Sequence, residues 1–241
     1  GGRVFRPRPV DKAVAEMAAI DNNRLFIVDN SLAQDTAWEK DLFREMIPLK
    51  KNWCSHPIED KPEVLDLAAQ AGAWYVYQAV FDTSDHIKER IRRYHDHGIM
   101  VEGTILLGLD DHSEDFIKEL VDFLLEIELD LAEFTVLTPF PHTKAYSALA
   151  AQKRILSHDW NDYSADKVVF QPKQMSPERL GELLDYAWNT FYESEPQSIK
   201  MAKLFKEVVK KEMDNGTYTG RDRSLAGHGF GKPLDESDEQ R

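Results

Sequence analysis

The chain has 241 residues, of which 42% are hydrophobic, and a formal net charge of -13. This length is sufficient for one large α/β domain with a buried core, and the acidic balance argues against a nucleic-acid-binding surface. No apolar run reaches the roughly 18 residues that a membrane helix needs. We expect a cytoplasmic protein that binds a small molecule, neither a nucleic acid nor a membrane.

Five short apolar runs alternate with helical stretches, which is the pattern of βαβ units and a parallel sheet. The predicted strands are 25–29, 53–57, 74–80, 100–108 and 132–138. A helix is predicted at 10–20, before the first strand. The clearest helix follows the fourth strand, with Ser113 as its N-cap and an apolar stripe of Phe116, Leu120, Phe123, Leu124 and Ile127.

Beyond residue 138 the pattern changes to loops and helices. Ser176 and Pro177 predict a helix start, and a second helix is predicted at 199–213, so the two should form a C-terminal helical hairpin. Residues 215–241 lack apolar periodicity, and we expect a disordered tail there. The predicted division is therefore a barrel over 1–150, a helical extension over 151–214 and the tail.

Polar side chains lie within or at the C-terminal ends of the predicted strands, where a buried parallel sheet favours apolar residues. They are Asp29, Asn30, Cys54, His56, Gln78, Asp82, Glu102, Thr104, Glu133, Thr135 and Thr138. Each alone has a structural alternative, such as a helix cap for Asp29 or a backbone hydrogen bond for Gln78. The strand period of two places Glu102 beside Thr104 and Glu133 beside Thr135, which predicts an acid-lined cavity.

Other candidate groups point to structure more than to chemistry. The single cysteine, Cys54, cannot supply the three thiolates of a typical iron-sulfur site. His95 and His97 end a predicted helix, and Asp110 lies where a helix cap is common, so we predict no metal ligand. Glycines within a strand indicate close approach of a backbone or a ligand, and this applies to Gly103 and Gly108.

Seven segments together resemble a known family. They are RPRPV (6–10), LFIVDN (25–30), YHDHGI (94–99), GTILLG (103–108), LTPFPHT (137–143), RILSHDW (154–160) and VVFQPK (168–173). In order and spacing, they are similar to radical S-adenosylmethionine (radical SAM) proteins of the type that contains a cobalamin-binding domain. The resemblance spans residues 3 to 193.

The resemblance implies an α/β fold, specifically a partial TIM-like (β/α)6 barrel that is missing its first strand. Its cofactors would be SAM and a 4Fe-4S cluster, whose CxxxCxxC loop would precede residue 6 and is not in this chain. A cobalamin domain could also lie upstream. In the family, the cluster donates an electron to SAM, whose amino-acid end chelates the cluster, and the resulting 5′-deoxyadenosyl radical abstracts a substrate hydrogen.

The family's SAM contacts carry over to particular positions. Residues implied to border the adenine are Gly103, Thr104, Ile105, Gly108, Thr138, Pro139 and Phe140; those implied near the ribose and amino-acid end are Asp29, Asn30, Gln78 and Asp82. The family's Gly-Phe-Glu-Ser appears here as Ala79-Val80-Phe81-Asp82. Substrate would lie near His56, Glu102, Glu133 and Thr135. No catalytic residue is assigned.

Three hypotheses follow. The first is the SAM- and substrate-binding part of a radical SAM enzyme. The second is a diverged barrel that acts as a non-catalytic binding or scaffold module. The third, a metal hydrolase using Asp29, His56 and Asp110, has no recognisable ligand spacing. A barrel without its first strand exposes a sheet edge, so we also expect self-association.

Overall fold

The structure is a computed structural model that describes residues 5–218. Five parallel strands form one sheet in sequence order: β1 (Arg24–Ile27), β2 (Asn52–Ser55), β3 (Ala73–Val80), β4 (Met100–Leu107) and β5 (Leu131–Val136). All five predicted strands are confirmed, with ends shifted by at most two residues. Parallel neighbours joined by right-handed crossovers place the connecting helices on one face of the sheet.

The described residues contain eight α-helices, and two N-caps that the sequence predicts are present. Ser113 accepts from the Phe116 amide at 3.1 Å, and Ser176 accepts from the Arg179 amide at 3.1 Å. The helices are α1 (Val10–Ala19), α2 (Thr36–Met46), α3 (Pro62–Gln70), α4 (Asp85–Asp96), α5 (Glu114–Glu126), α6 (Lys144–Ala151), α7 (Pro177–Phe191) and α8 (Gln197–Asp214).

The main core lies between the sheet and α1 to α7. One side of each strand faces it, and Trp53 of β2 stacks on Phe43 of α2 with ring centroids 5.0 Å apart. On β4, Val101, Gly103 and Ile105 are buried, while Glu102 and Thr104, which alternate with them, are only half-buried. This alternation separates a helix-facing side from an inner face.

The last two helices lie on opposite faces of the sheet. Phe134 of β5 packs edge-on against Trp188 of α7 on the helix-facing side, with ring centroids 5.6 Å apart. Leu204 and Val208 of α8 instead join a second apolar cluster, with Trp74, on the inner face. The expected C-terminal hairpin is therefore corrected: the helices follow each other in sequence, but their apolar stripes cover different surfaces.

The two edges of the sheet differ in whether other parts of the described chain hydrogen-bond to them. Along β5, the Tyr192 hydroxyl accepts from the Ala132 amide at 3.0 Å and donates to the Ala132 carbonyl at 2.8 Å. The Val136 amide donates to the Ala165 carbonyl at 2.8 Å. The β1 edge borders an open groove of about 600 Å³, which residues 5–8, α1 and Asp29 help to line.

Two further expectations concern the whole chain. Of the predicted tail at 215–241, only the residues up to 218 are described, and the division at residue 150 stays a prediction. Within residues 5–218, no helix has the length and apolar character needed to cross a membrane.

Candidate binding site on the inner face

The inner face of the sheet carries the polar side chains that the sequence places together. Glu102 and Thr104 lie on this side of β4, and Glu133 and Thr135 lie on this side of β5. Thr104 is directly opposite Glu133 in the strand register. The Thr135 hydroxyl donates to the Ile105 carbonyl at 3.3 Å, which fixes its position. The predicted clustering of these four residues is therefore present.

Glu102 has an unusual electrostatic environment. Burial, followed by the nearby Glu133 carboxylate, raises the pKa of Glu102 to about 7. Both effects favour the neutral acid, because low dielectric surroundings and a like charge each disfavour ionisation. A cavity of about 370 Å³ adjoins the pair at the β5 edge; its lining also includes Asp166, Trp188 and Gln197. At neutral pH, Glu102 can accept or donate a hydrogen bond.

An aromatic cluster lies beside these acids on the same face. His56, which follows β2, has its ring centroid 6.0 Å from Phe26 of β1 and 5.3 Å from Tyr77 of β3. Phe26 and Tyr77 are themselves 5.8 Å apart. Tyr77 pairs with Glu102 in the strand register, so the aromatic and acidic groups are adjacent.

The predicted SAM positions at the strand ends are partly open. Asp29 and Asn30 are exposed after β1. After β5, the Thr138 hydroxyl donates to the Val136 carbonyl at 3.1 Å, and the Phe140 side chain is 54% exposed. An exposed aromatic ring and free carboxylate and amide groups are suited to a nucleoside.

Two predicted ribose contacts are engaged elsewhere. Gln78 is buried on the helix-facing side with Val76 and Val80, and its amide donates to the Ala79 carbonyl at 3.3 Å. Asp82 accepts from the Ser84 amide at 2.9 Å, and its hydrogen bonds with Ser84 lower its pKa. For both residues, the geometry favours the structural alternative.

The two strand glycines are explained by packing. A Cβ at Gly103 would lie 2.6 Å from Cδ2 of Leu129, on the helix-facing side. Gly108 has a positive φ of +88°, and a Cβ there would lie 2.6 Å from Cδ2 of Leu180. Ile105 is likewise buried in the main core. Contact of this segment's backbone with adenine stays a prediction.

The described residues do not fit an iron-sulfur cluster. They contain no group of three or more His, Cys, Asp or Glu side chains placed to hold a metal. Burial raises the pKa of the Cys54 thiol to about 12, which disfavours the thiolate that binds iron. Asp110, considered for a hydrolase, instead pairs with Arg154 at 2.7 Å and with Lys173 at 2.6 Å.

Sequence reasoning missed Phe26, Tyr77, Asp166 and Trp188. Phe26 and Tyr77 lie within apolar strands and therefore look like core residues in the sequence. Trp188 belongs to the apolar stripe of α7. Asp166 lies in a loop whose place against β5 no local pattern indicates.

The fold and the site together define an α/β protein with a sequentially wound parallel sheet and a polar inner face. No family model matches the chain. Among solved structures it resembles TsrM, a radical SAM methyltransferase of Kitasatospora setae solved with cobalamin and a 4Fe-4S cluster bound. The TM-score is 0.58 at 16% identity, over 79% of this chain and 47% of that one. The likeness shows a shared fold.

Two relatives are similar in sequence. A bacteriochlorophyllide d C-12(1)-methyltransferase of Chlorobaculum tepidum is 26% identical over 75% of this chain and 44% of its own length. An anaerobic magnesium-protoporphyrin IX monomethyl ester cyclase of Cereibacter sphaeroides is 28% identical over 43% of this chain and 16% of its own. The chain thus spans less than half the length of these relatives.

Proposed function

We propose that this chain is the SAM- and substrate-binding part of a radical SAM enzyme. The 4Fe-4S cluster would be held by cysteines outside these 241 residues, and a cobalamin domain would also lie outside them. The observation that carries the proposal is the fold shared with TsrM, together with the polar inner face. The methyltransferase and cyclase relatives support it.

In this proposal the chain's own residues bind SAM and the substrate and hold them in position. Phe140 offers its ring to adenine, and Asp29 and Asn30 offer acceptors and a donor to the rest of SAM. His56, Glu102, Glu133 and Thr135 face the substrate. SAM supplies the group that is cleaved or transferred. Because the chain does not fit the cluster, we assign no electron-transfer step to its residues.

A binding or scaffold module is the second candidate. Gln78 and Asp82, two residues implied in SAM recognition, are occupied by structural hydrogen bonds. A barrel that no longer binds SAM would show this arrangement. Both candidates share the substrate-facing inner face, so SAM binding distinguishes them.

The test uses the complete natural gene product, reconstituted with iron and sulfide without oxygen. We expect it to bind SAM and, with dithionite, to release 5′-deoxyadenosine, measured by chromatography. Phe140→Ala should weaken SAM binding roughly tenfold because it removes an aromatic surface. Leu156→Ala, which removes a side chain of equal 54% exposure, is the matched control. A reconstituted protein that binds no SAM would leave the non-catalytic module as the function.

A further inference from the structure

The aromatic cluster formed by Phe26, His56 and Tyr77 has the geometry of a surface. The three ring centroids are 5.3 to 6.0 Å apart, with interplanar angles of 31° to 32°. A single column of stacked rings would place its outer members at about twice the separation of neighbours. The rings therefore meet in a triangle and form an aromatic surface, with Phe26 on β1, Tyr77 on β3 and His56 just after β2.

This surface is open on the inner face. Phe26 is 51% exposed, although it lies on a strand whose neighbouring residues Leu25 and Ile27 are buried. Leu204 and Val208 of α8 pack against Trp74, Tyr75 and Leu131, nearer the starts of the strands, and Tyr77 packs partly against this cluster. The Phe26 side of the surface is the more exposed one. An exposed ring grouped with two more aromatic side chains is suited to stacking against a flat ligand.

The adjoining acids give the surface a charge preference. Glu102 is next to Tyr77 in the register, and Glu133 lies one strand further. Among the described residues, neither carboxyl forms an ion pair or accepts a hydrogen bond from a side chain, and Asp166 adds a third acid to the adjoining cavity. Uncompensated carboxylates attract a cation and repel an anion.

We propose that the inner face binds a planar conjugated ring that carries a protonated amine. The ring stacks on Phe26, His56 and Tyr77, and the ammonium group lies between Glu102 and Glu133. Tyr77 is one strand spacing, about 5 Å, from Glu102, so a short side chain on the stacked ring reaches the carboxyls. This inference rests on the proposed function, because it names the substrate class of that site.

The test measures binding of two fluorescent naphthalene probes to the chain by titration at pH 8. N-(1-naphthyl)ethylenediamine is a planar cation, and 1-naphthoxyacetate is an anion of similar size. We expect the cation to bind at least about tenfold more tightly than the anion. Phe26→Leu keeps apolar bulk and removes the ring, so it should weaken binding of the cationic probe about tenfold. The control, Leu125→Ala on the outer helix α5, should leave that affinity unchanged.

Charge is tested separately. Glu102→Gln should weaken binding of the cationic probe about tenfold and leave binding of the anionic probe unchanged or tighter. Glu119→Gln, on the outer side of α5, should alter the affinity for neither probe. Equal affinity for both probes, or full cation affinity in Phe26→Leu, would overturn the inference. Neither measurement involves SAM. If the probes do not bind as expected but the protein still cleaves SAM, only the proposed substrate class is wrong. If the cationic probe binds as expected but SAM does not bind, only the proposed radical SAM function is wrong.

Discussion

At the scale of single residues, the Glu39 carboxyl is buried among the helices and has a raised pKa. Glu39 lies on α2 with its side chain fully buried, and one oxygen accepts from the Glu59 amide at 3.1 Å. The other oxygen has no partner among the described residues. Burial is the main cause that raises the pKa of Glu39 from 4.5 to about 7. The neutral acid is therefore the form that folding favours.

This shift predicts a pH dependence of stability. The folded state binds the Glu39 proton more tightly than the unfolded chain does, so stability falls as pH rises from about 4.5 through 7. Glu39→Gln removes this loss. Urea unfolding from pH 4.5 to 8 should show the wild type losing on the order of 3 kcal/mol relative to the variant.

The matched control is Glu45→Gln, which changes an exposed carboxyl on the same helix. Its unfolding free energies should run parallel to those of the wild type across the pH range. A Glu39→Gln curve that also runs parallel would show that the Glu39 carboxyl is not desolvated as described.

Among the elements, α8 determines how far the inner face is open. It is fastened to the start of β1 by Arg24 and Glu212, whose side chains are 13% and 6% exposed and form two hydrogen bonds of 2.8 and 2.9 Å. Lys211 donates to the Ala73 carbonyl at 2.8 Å. These contacts hold α8 near the starts of the strands, where its apolar cluster packs against Tyr77, and leave the Phe26 side of the aromatic cluster exposed.

Breaking this ion pair should release α8. Glu212→Gln removes the carboxylate charge from this largely buried pair, and weakening a charge-assisted hydrogen bond costs about 1 to 3 kcal/mol. We expect a lower urea midpoint and faster exchange of α8 amide hydrogens. Asp214→Asn, at the exposed end of the same helix, is the control and should change neither. Unchanged α8 exchange in Glu212→Gln would mean that apolar packing alone holds the helix.

At the scale of the whole molecule, residues 5–218 form a sheet with one covered edge and one open edge. Tyr192 and Ala165 satisfy backbone groups of β5. The β1 edge faces the groove instead, and Val28 beside it is 72% exposed. Open edges favour pairing with another strand, so the expected self-association of this chain stays a prediction, now located at β1.

Light scattering during size exclusion tests this expectation. We predict a mass that rises toward a dimer with concentration, and a roughly tenfold weaker dimer for Val28→Lys, since a charge at an open edge disfavours pairing. Ile199→Lys places the same charge at an exposed apolar position on α8 and should leave the dimer intact. A monomer at all concentrations would show that the β1 edge does not pair.

The sequence by itself predicted the strands, the caps at Ser113 and Ser176, and which polar residues share a side within a strand, namely Glu102 with Thr104 and Glu133 with Thr135. These follow from local propensity and from the period of two, which need no knowledge of distant residues. The family resemblance added the expectation of SAM, for which Phe140 stays a predicted contact.

Only the tertiary structure decided what each side chain faces. Gln78 and Tyr77 are sequence neighbours, yet one is buried against the helices and the other lies in the aromatic cluster. The α7 and α8 stripes look alike in sequence, but they cover opposite faces of β5. Periodicity shows that two sides differ, whereas which side meets helices, acids or an open face depends on packing between elements far apart in the chain.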